Sequence, residues 1–443
     1  MKERTIIIIG AGIAGLATGC YAQMSGFKSK IFELHNLPGG LCTAWERKGY
    51  VFDGCIHYLI GSGKGQPFYA MWEELGAVQG RQMVNHREYQ RITDGVKTLI
   101  VYADPEQLEA HLLELSPQDA APIRDFIRGV RQFAGFDLSL MYQIPKPLMQ
   151  ALDWRNYGMK MMSFVPALAK WALTSCAQFA QRFKDPFLRR AVPQMFSWEE
   201  APVMMGMMLL AYMQTGNAGF PTGGSLEFAR AIEKRYTDLG GEIYYDSQVE
   251  KILVEEDRAV GVRLYNNQVH RADYVISAAD GRSTIFDMLD GQFTNRKICR
   301  MYDGHLPTHQ MVQVSLGVRR DMSGEPHWVT YLLDEPILLA GEERREIGVQ
   351  HYCFDPSLAP PGRSVIELIV RTNYAYWQNI YGRRIYDTEQ SEVSDIIIEQ
   401  LKQWYPGIDE DIEFVDEATP LSYERYTGNW MGATTGWLLA KET

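Results

Sequence analysis

Three glycines and one acid near the N-terminus carry the first chemistry legible in this chain. Gly10, Gly12 and Gly15 stand in the spacing G-x-G-x-x-G. In such a pattern the first glycine permits a tight strand-to-helix turn. The second lets the backbone approach a diphosphate, and the third lets helix and strand pack closely. Glu33 follows 18 residues after Gly15, where a carboxylate can accept both hydroxyls of a ribose and would repel a 2′-phosphate. Together these residues describe a dinucleotide site.

The flanking sequence supplies the elements that must position them. Thr5–Ile9 reads Thr-Ile-Ile-Ile-Ile, a β-branched run suited to a parallel strand buried on both faces. Residues 16–24 read as a helix of mostly small residues, closed by Gly26. Its N-terminus, with Gly10, Gly12, Ala14 and Gly15 around it, points free N–H groups at phosphates. A second strand, Lys28–Phe32, delivers Glu33. Strand, glycines, helix, strand and acid fall in register, which a chance glycine triplet would not do.

NAD and FAD share this fingerprint, and the next residues choose between them. Pro38-Gly39-Gly40-Leu41-Cys42-Thr43 can lie flat along a ribityl–diphosphate arm. Gly49-Tyr50-Val51-Phe52-Asp53-Gly54-Cys55-Ile56-His57-Tyr58 follows. At these residues the chain resembles the phytoene desaturase-like flavoproteins, which include carotenoid desaturases, carotenoid isomerases and retinol saturases. Ile56-His57-Tyr58 is most similar to the retinol saturase branch. The resemblance recurs at Phe220-Pro221-Thr222-Gly223-Gly224, which opens a helix over 226–239, and at Gln248-Val249-Glu250-Lys251-Ile252. It implies that Val249 holds an adenine through its backbone. Residues 272–280 resemble the family's return strand, and Thr419-Pro420-Leu421 and 425–429 resemble later landmarks.

The resemblance implies an α/β chain, α+β overall, with a discontinuous Rossmann-type FAD-binding domain and an inserted substrate domain of mixed sheet plus Met-rich helices. The flavin parts are expected at 1–65, 218–300 and 419–443, and the substrate parts at 66–217 and 301–418. It assigns FAD to Gly10, Gly12, Ala14, Gly15, Glu33, Gly39, Gly40, Leu41, Thr43 and Val249. The family closes with a glycine-rich segment over the flavin. Here the sequence stops at Thr443, soon after Gly436-Trp437-Leu438-Leu439, without one. A truncated chain is the expectation.

The central segment has another character. Residues 89–103 suggest a hairpin around Asp94-Gly95, and Asp104-Pro105 and Ser116-Pro117 read as helix starts. Residues 158–183 hold an uncharged centre, 161–169, between Lys160 and Lys170, and 203–213 hold Met204, Met205, Met207, Met208 and Met213. Methionine fills helical cores. With the family resemblance, these stretches also suit a greasy substrate wall and an interfacial helix touching a membrane surface. Residues 311–318 and 365–371 read as strands of the substrate domain.

Flavin chemistry on a hydrocarbon needs few ionisable groups. His57 and Tyr58 follow a loop expected to reach the flavin ring. They are the catalytic candidates, His57 as proton donor or flavin tuner; a packed seam histidine is the plainer alternative. Asp53 is expected to satisfy loop amides. Adjacent Glu199 and Glu200 are expected at a helix start, where the dipole favours acids. Arg425 suits either a flavin entrance or an ion pair.

Composition sets the outer bounds. The 443 residues, 46% hydrophobic and 22% charged, describe a globular chain of more than one domain. A net charge of −11 without a basic tract excludes a nucleic-acid partner. The six cysteines form no metal-ligand spacing and read as free thiols of a reducing compartment. Lys2 and Arg4 before a short apolar run imitate a leader, but the glycines explain the run better. No stretch reaches the roughly 18 apolar residues of a membrane span. The reading is therefore a cytoplasmic FAD-dependent oxidoreductase able to touch a membrane surface. Its hydrophobic polyene-like substrate would be desaturated, saturated or isomerised. An amine-oxidase-like enzyme on a polar substrate and a non-catalytic flavin or lipid binder are the alternatives.

Overall fold

The computed structural model describes residues 4–138, 144, 148–195 and 199–438. Lys2, Ser197, Trp198 and residues 439–443 lie outside them. β1 (Thr5–Ile9) is the hub of a four-stranded parallel sheet. Ile6, Ile7, Ile8 and Ile9 are all buried, as expected of a strand covered on both faces. β2 (Lys28–Phe32) lies on one side, with Ile7 opposite Lys30. Tyr274–Ser277 lies on the other, with Ile7 opposite Val275. Glu242–Tyr244 completes the sheet beyond β2.

α1 spans Ile13–Met24 and so starts earlier than the residue 16 expected from sequence. The reason is that Gly15 belongs to the first helical turn. A Cβ there would sit 1.9 Å from the Gly10 carbonyl oxygen, so glycine permits the helix to begin directly at the strand end. The later helix is Gly224–Asp238, again starting at the glycines. It packs on α1, where the Tyr236 ring fills the space a Cβ at Gly19 would need.

The rest of the chain builds a second layer. Seven strands form a mixed sheet in the order Ile412–Ala418, Met311–Val318, Ser364–Arg371, Glu342–His351, Trp328–Leu339, Glu88–Thr93 and Thr98–Tyr102. The last two are the hairpin around Asp94-Gly95, tied in by a parallel pairing of Val329 with Arg91. Helices Pro105–Leu115, Ala120–Phe133, Pro186–Gln194 and Val203–Gln214 pack beside this end. Asp104 caps the first, accepting from the Gln107 amide at 2.8 Å.

One expectation for the helical region changes, that for Glu199 and Glu200, and two are made specific. Residues 158–183 form three short helices, Ala151–Met162, Val165–Trp171 and Cys176–Ala180. Pro166 cannot continue the first, and Ser175 with Gln178 makes a capping box that starts the third. The Met-rich helix Val203–Gln214 is core, since Met207 is fully buried with its sulfur 2.5 Å from where a Cβ of Gly129 would be. Glu199 and Glu200 are exposed and lie ahead of that helix, not in its first turn. Glu200 instead pairs with Arg371 at 3.5 Å.

Candidate active site

Two glycine loops meet at the carboxyl end of β1. Gly10 takes φ +96°, which only glycine adopts without strain, and its amide donates to the Phe32 carbonyl at 2.8 Å. The Gly39 amide donates to the Ala11 carbonyl at 2.8 Å, which seats the second loop on the first. Gly12 opens α1 with no side-chain cap, and no acid occupies the first turn. That end can therefore accept a diphosphate without competition or repulsion.

Glu33 is buried beside these loops. Its oxygens accept from the Ala11 amide at 2.6 Å and the His35 amide at 2.9 Å. Each keeps a free lone pair for a hydroxyl. Burial pushes its carboxyl up, and the two amides pull it back.

A cleft runs along these residues in two lobes. One, of about 420 Å³, is lined by Gly10, Gly12, Ala14, Gly39 and Val249, with Asp280 and Asn429 opposite. The other, of about 390 Å³, is lined by Thr43, Trp45, Gly54, Tyr423 and Tyr426. Glu33, Gly40 and Leu41 line both. Each lobe falls in the range of about 300–1,000 Å³ typical of ligand sites. Gly15 lies behind the cleft as a packing residue. Arg425 does not line it. That side chain is exposed and stacks on the Tyr426 ring at 5.4 Å.

The loop after β3 (Ala44–Arg47) and β4 (Tyr50–Asp53) forms a partition. Gly54 and Cys55 face the cleft. His57 and Tyr58 instead line a separate inner pocket of about 20 Å³, room for one water. Its other walls include His86, Tyr89, His327 and Tyr352. The Tyr352 hydroxyl lies 3.4 Å from His57 Nδ1 and donates to Gln350 Oε1 at 3.2 Å. Burial lowers His57 to about 4, and His86 likewise. His86 stacks on His327 at 3.6 Å. Near neutral pH these rings are uncharged. No carboxylate lines this pocket, and no cluster among the described residues could hold a metal.

His86, His327 and Tyr352 come from segments that no sequence motif singled out. The signal for them was faint, isolated histidines at 86 and 327.

Residues 8–75 match the NAD(P)-binding Rossmann-like domain. A chloroplastic prolycopene isomerase of Daucus carota is 23% identical over 450 residues, covering 96% of this chain and 70% of that protein. A lycopene-forming phytoene desaturase of Pseudescherichia vulneris is 25% identical over 383 residues, covering 80% of this chain and 74% of its own. Over most of its length the chain is thus similar to carotenoid desaturases and isomerases. An all-trans-retinol 13,14-reductase of Danio rerio, 22% identical over 96% of this chain and 76% of its own, extends the same relationship. The chain is a dinucleotide-binding oxidoreductase, and its glycine cleft lies within the matched Rossmann-like segment and the residues packed against it. Among the described residues, no helix is long and apolar enough to cross a membrane.

Proposed function

We propose that the dinucleotide is FAD and that the enzyme desaturates, saturates or isomerises a hydrophobic polyene-like substrate. The continuity of the two lobes through Glu33, Gly40 and Leu41 carries this reading. An adenosine diphosphate arm fits the glycine lobe. The lobe beyond, walled by Trp45 and Tyr423, has room for a further ring system. The uncapped start of α1 holds the diphosphate, Glu33 the ribose, and Val249 the adenine side. Bound FAD would supply hydride exchange at its N5. The chain itself orients the substrate, excludes water and places neutral imidazoles in the inner pocket. An amine substrate is disfavoured, because nothing anionic lines that pocket.

Purified protein is expected to be yellow. Its flavin absorbance should bleach anaerobically on adding a reductant or a reducing substrate. A colourless protein that takes up no added FAD would overturn the reading.

The partner surface we propose is a lipid one. Leu152, Met159, Met162 and Val165 are exposed on consecutive helices, flanked by Leu148 and by Leu173, which is 84% exposed. Arg155 and Lys160 stand among them. Apolar side chains with basic neighbours suit the boundary of an anionic bilayer. The second of these helices, Val165–Trp171, packs onto the one that contributes Met213 to the inner pocket, a short route for a greasy substrate. Replacing Leu152, Met159 and Met162 together by serine should cut co-sedimentation with anionic vesicles at least tenfold. Burying one such side chain is worth about 1.5–3 kcal/mol. Unchanged co-sedimentation would rule the surface out.

A further inference from the structure

Two cysteines stand across from each other in the partition. β3 and β4 pair Ala44 with Asp53, and the ladder runs on past them, with the Gly54 amide donating to the Thr43 carbonyl at 2.9 Å. One step further, the same register sets Cys42 opposite Cys55. Residues directly opposite in an antiparallel pair have Cα atoms about 4.5–5.5 Å apart, inside the span of about 4.4–6.8 Å that a disulfide bridges. Side chains alternate along a strand, so both cysteines share the face of Ala44 and Asp53. The hydrogen bonds agree. Cys42 Sγ donates to the Ser225 carbonyl at 3.4 Å. Ser225 Oγ donates to Asp53 Oδ1 at 2.6 Å, and the Cys55 amide donates to that same oxygen at 3.0 Å.

The two thiols differ in access. Both are free, Cys55 exposed and Cys42 buried, and both line the glycine lobe of the cleft. The neighbouring Cys55 thiol, and then burial, push the Cys42 thiol up, so Cys42 stays protonated near neutral pH. Cys42 also closes the turn of the second glycine loop, where its amide donates to the Gly39 carbonyl at 3.0 Å. A bond from Cys42 to Cys55 would therefore tie that loop to the partition.

We propose that Cys42 and Cys55 are a reversible dithiol–disulfide couple in the wall of the dinucleotide cleft, closed by exchange with a small-molecule disulfide and shielded when a dinucleotide fills the cleft. Cys55, the accessible thiol, gives up its proton and attacks one sulfur of the small disulfide. The other half leaves and takes up a proton as a thiol. Cys42 then gives up its proton and attacks the Cys55 sulfur, and the second half leaves as a thiol in the same way. One S–S bond breaks in the small molecule and one forms in the protein. Two protein thiols are oxidised, and one disulfide is reduced to two thiols. Cys42 resolves the adduct although its proton is held tightly, because it attacks from across one strand pair, at an effective concentration that no free thiol reaches. The shielding rests on the proposed FAD reading; the couple itself does not.

Peptide mapping by mass spectrometry tests the couple on purified protein incubated with oxidised glutathione, without and with added FAD. Wild type should yield a linked pair of peptides carrying Cys42 and Cys55, undone by dithiothreitol. Cys42→Ser should stop at a Cys55–glutathione adduct, and Cys55→Ser should leave Cys42 unmodified. The wild-type map decides the linkage whether or not either variant folds. Bound FAD should slow the linkage by about tenfold or more, because exchange needs access to the attacking thiol. Exposed Cys299, which lines neither lobe, should alkylate at one rate throughout. A wild type that forms no linked pair, or that stops at the Cys55 adduct, overturns the couple. A linkage that forms as fast with FAD bound overturns the shielding. A protein that takes up no FAD counts against the FAD reading instead, since the linkage is scored without it.

Discussion

Gly12→Val should give a folded protein that retains no dinucleotide, whereas Gly15→Ala should damage the fold itself. Gly12 has φ −64° and ψ 172°, a conformation open to any residue. A Cβ there would meet nothing closer than the Gly39 carbonyl oxygen at 3.9 Å. Gly12 lines the cleft proposed for the diphosphate, so the added branches would take up that space. Stability should stay within about 0.5 kcal/mol, as for substitutions that touch no packed feature. Affinity should fall at least a hundredfold, about 2.8 kcal/mol. At Gly15 the new methyl would lie 1.9 Å from the Gly10 carbonyl oxygen and 3.4 Å from the Ala278 Cβ. The backbone oxygen cannot swing away, so α1 must lift from the sheet, at about 1–3 kcal/mol or more. Circular-dichroism melting and cofactor retention on gel filtration separate the two outcomes. A Gly12→Val protein that keeps its chromophore would remove the diphosphate from this loop.

The contrast between those glycines shows what the sequence could and could not convey. Local spacing determined β1, β2 and the place of Glu33, because a turn, a helix start and a buried acid that accepts the Ala11 amide all lie within one short unit. The position of His57 was beyond that reach. Chain proximity to Gly54 suggested the flavin side, yet residues only a few positions apart face opposite sides of one partition. The far walls of the inner pocket come from His86, His327 and Tyr352, brought together only by the seven-stranded sheet. The methionines did point to a helical core, but not to what it lines. Composition does not tell which face of a helix is buried, and Val203–Gln214 is buried nearly all round, leaving Met213 as its one contribution to the pocket. Pro166 and Ser175 did carry the breaks within 158–183, but the uncharged run obscured them.

Asp53→Ala should destabilise the protein by about 3–5 kcal/mol, more than any loss of surface charge could. Asp53 is 1% exposed at the end of β4. One oxygen accepts from the Cys55 amide at 3.0 Å and the Ser225 hydroxyl at 2.6 Å, and the other from the Ser225 amide at 2.6 Å. The Ser225 hydroxyl in turn accepts from the Ile56 amide at 2.8 Å. Asp53 thus fastens the partition loop to the first turn of Gly224–Asp238, and through it holds the lobes of the cleft and the His57 pocket in register. The approach is tight, since a Cβ on Gly224 would fall 2.3 Å from the carboxylate. Alanine would strand the buried Ser225 amide and hydroxyl and the part-buried Cys55 amide, and a buried group left unsatisfied costs about 1–3 kcal/mol. Asparagine would keep the shape but turn donors toward donors, so it should recover only part of the loss. Denaturant titration of the three proteins measures this. A loss below about 1 kcal/mol for Asp53→Ala would mean that water replaces the carboxylate, and that the partition is held by strand pairing rather than by this one acid.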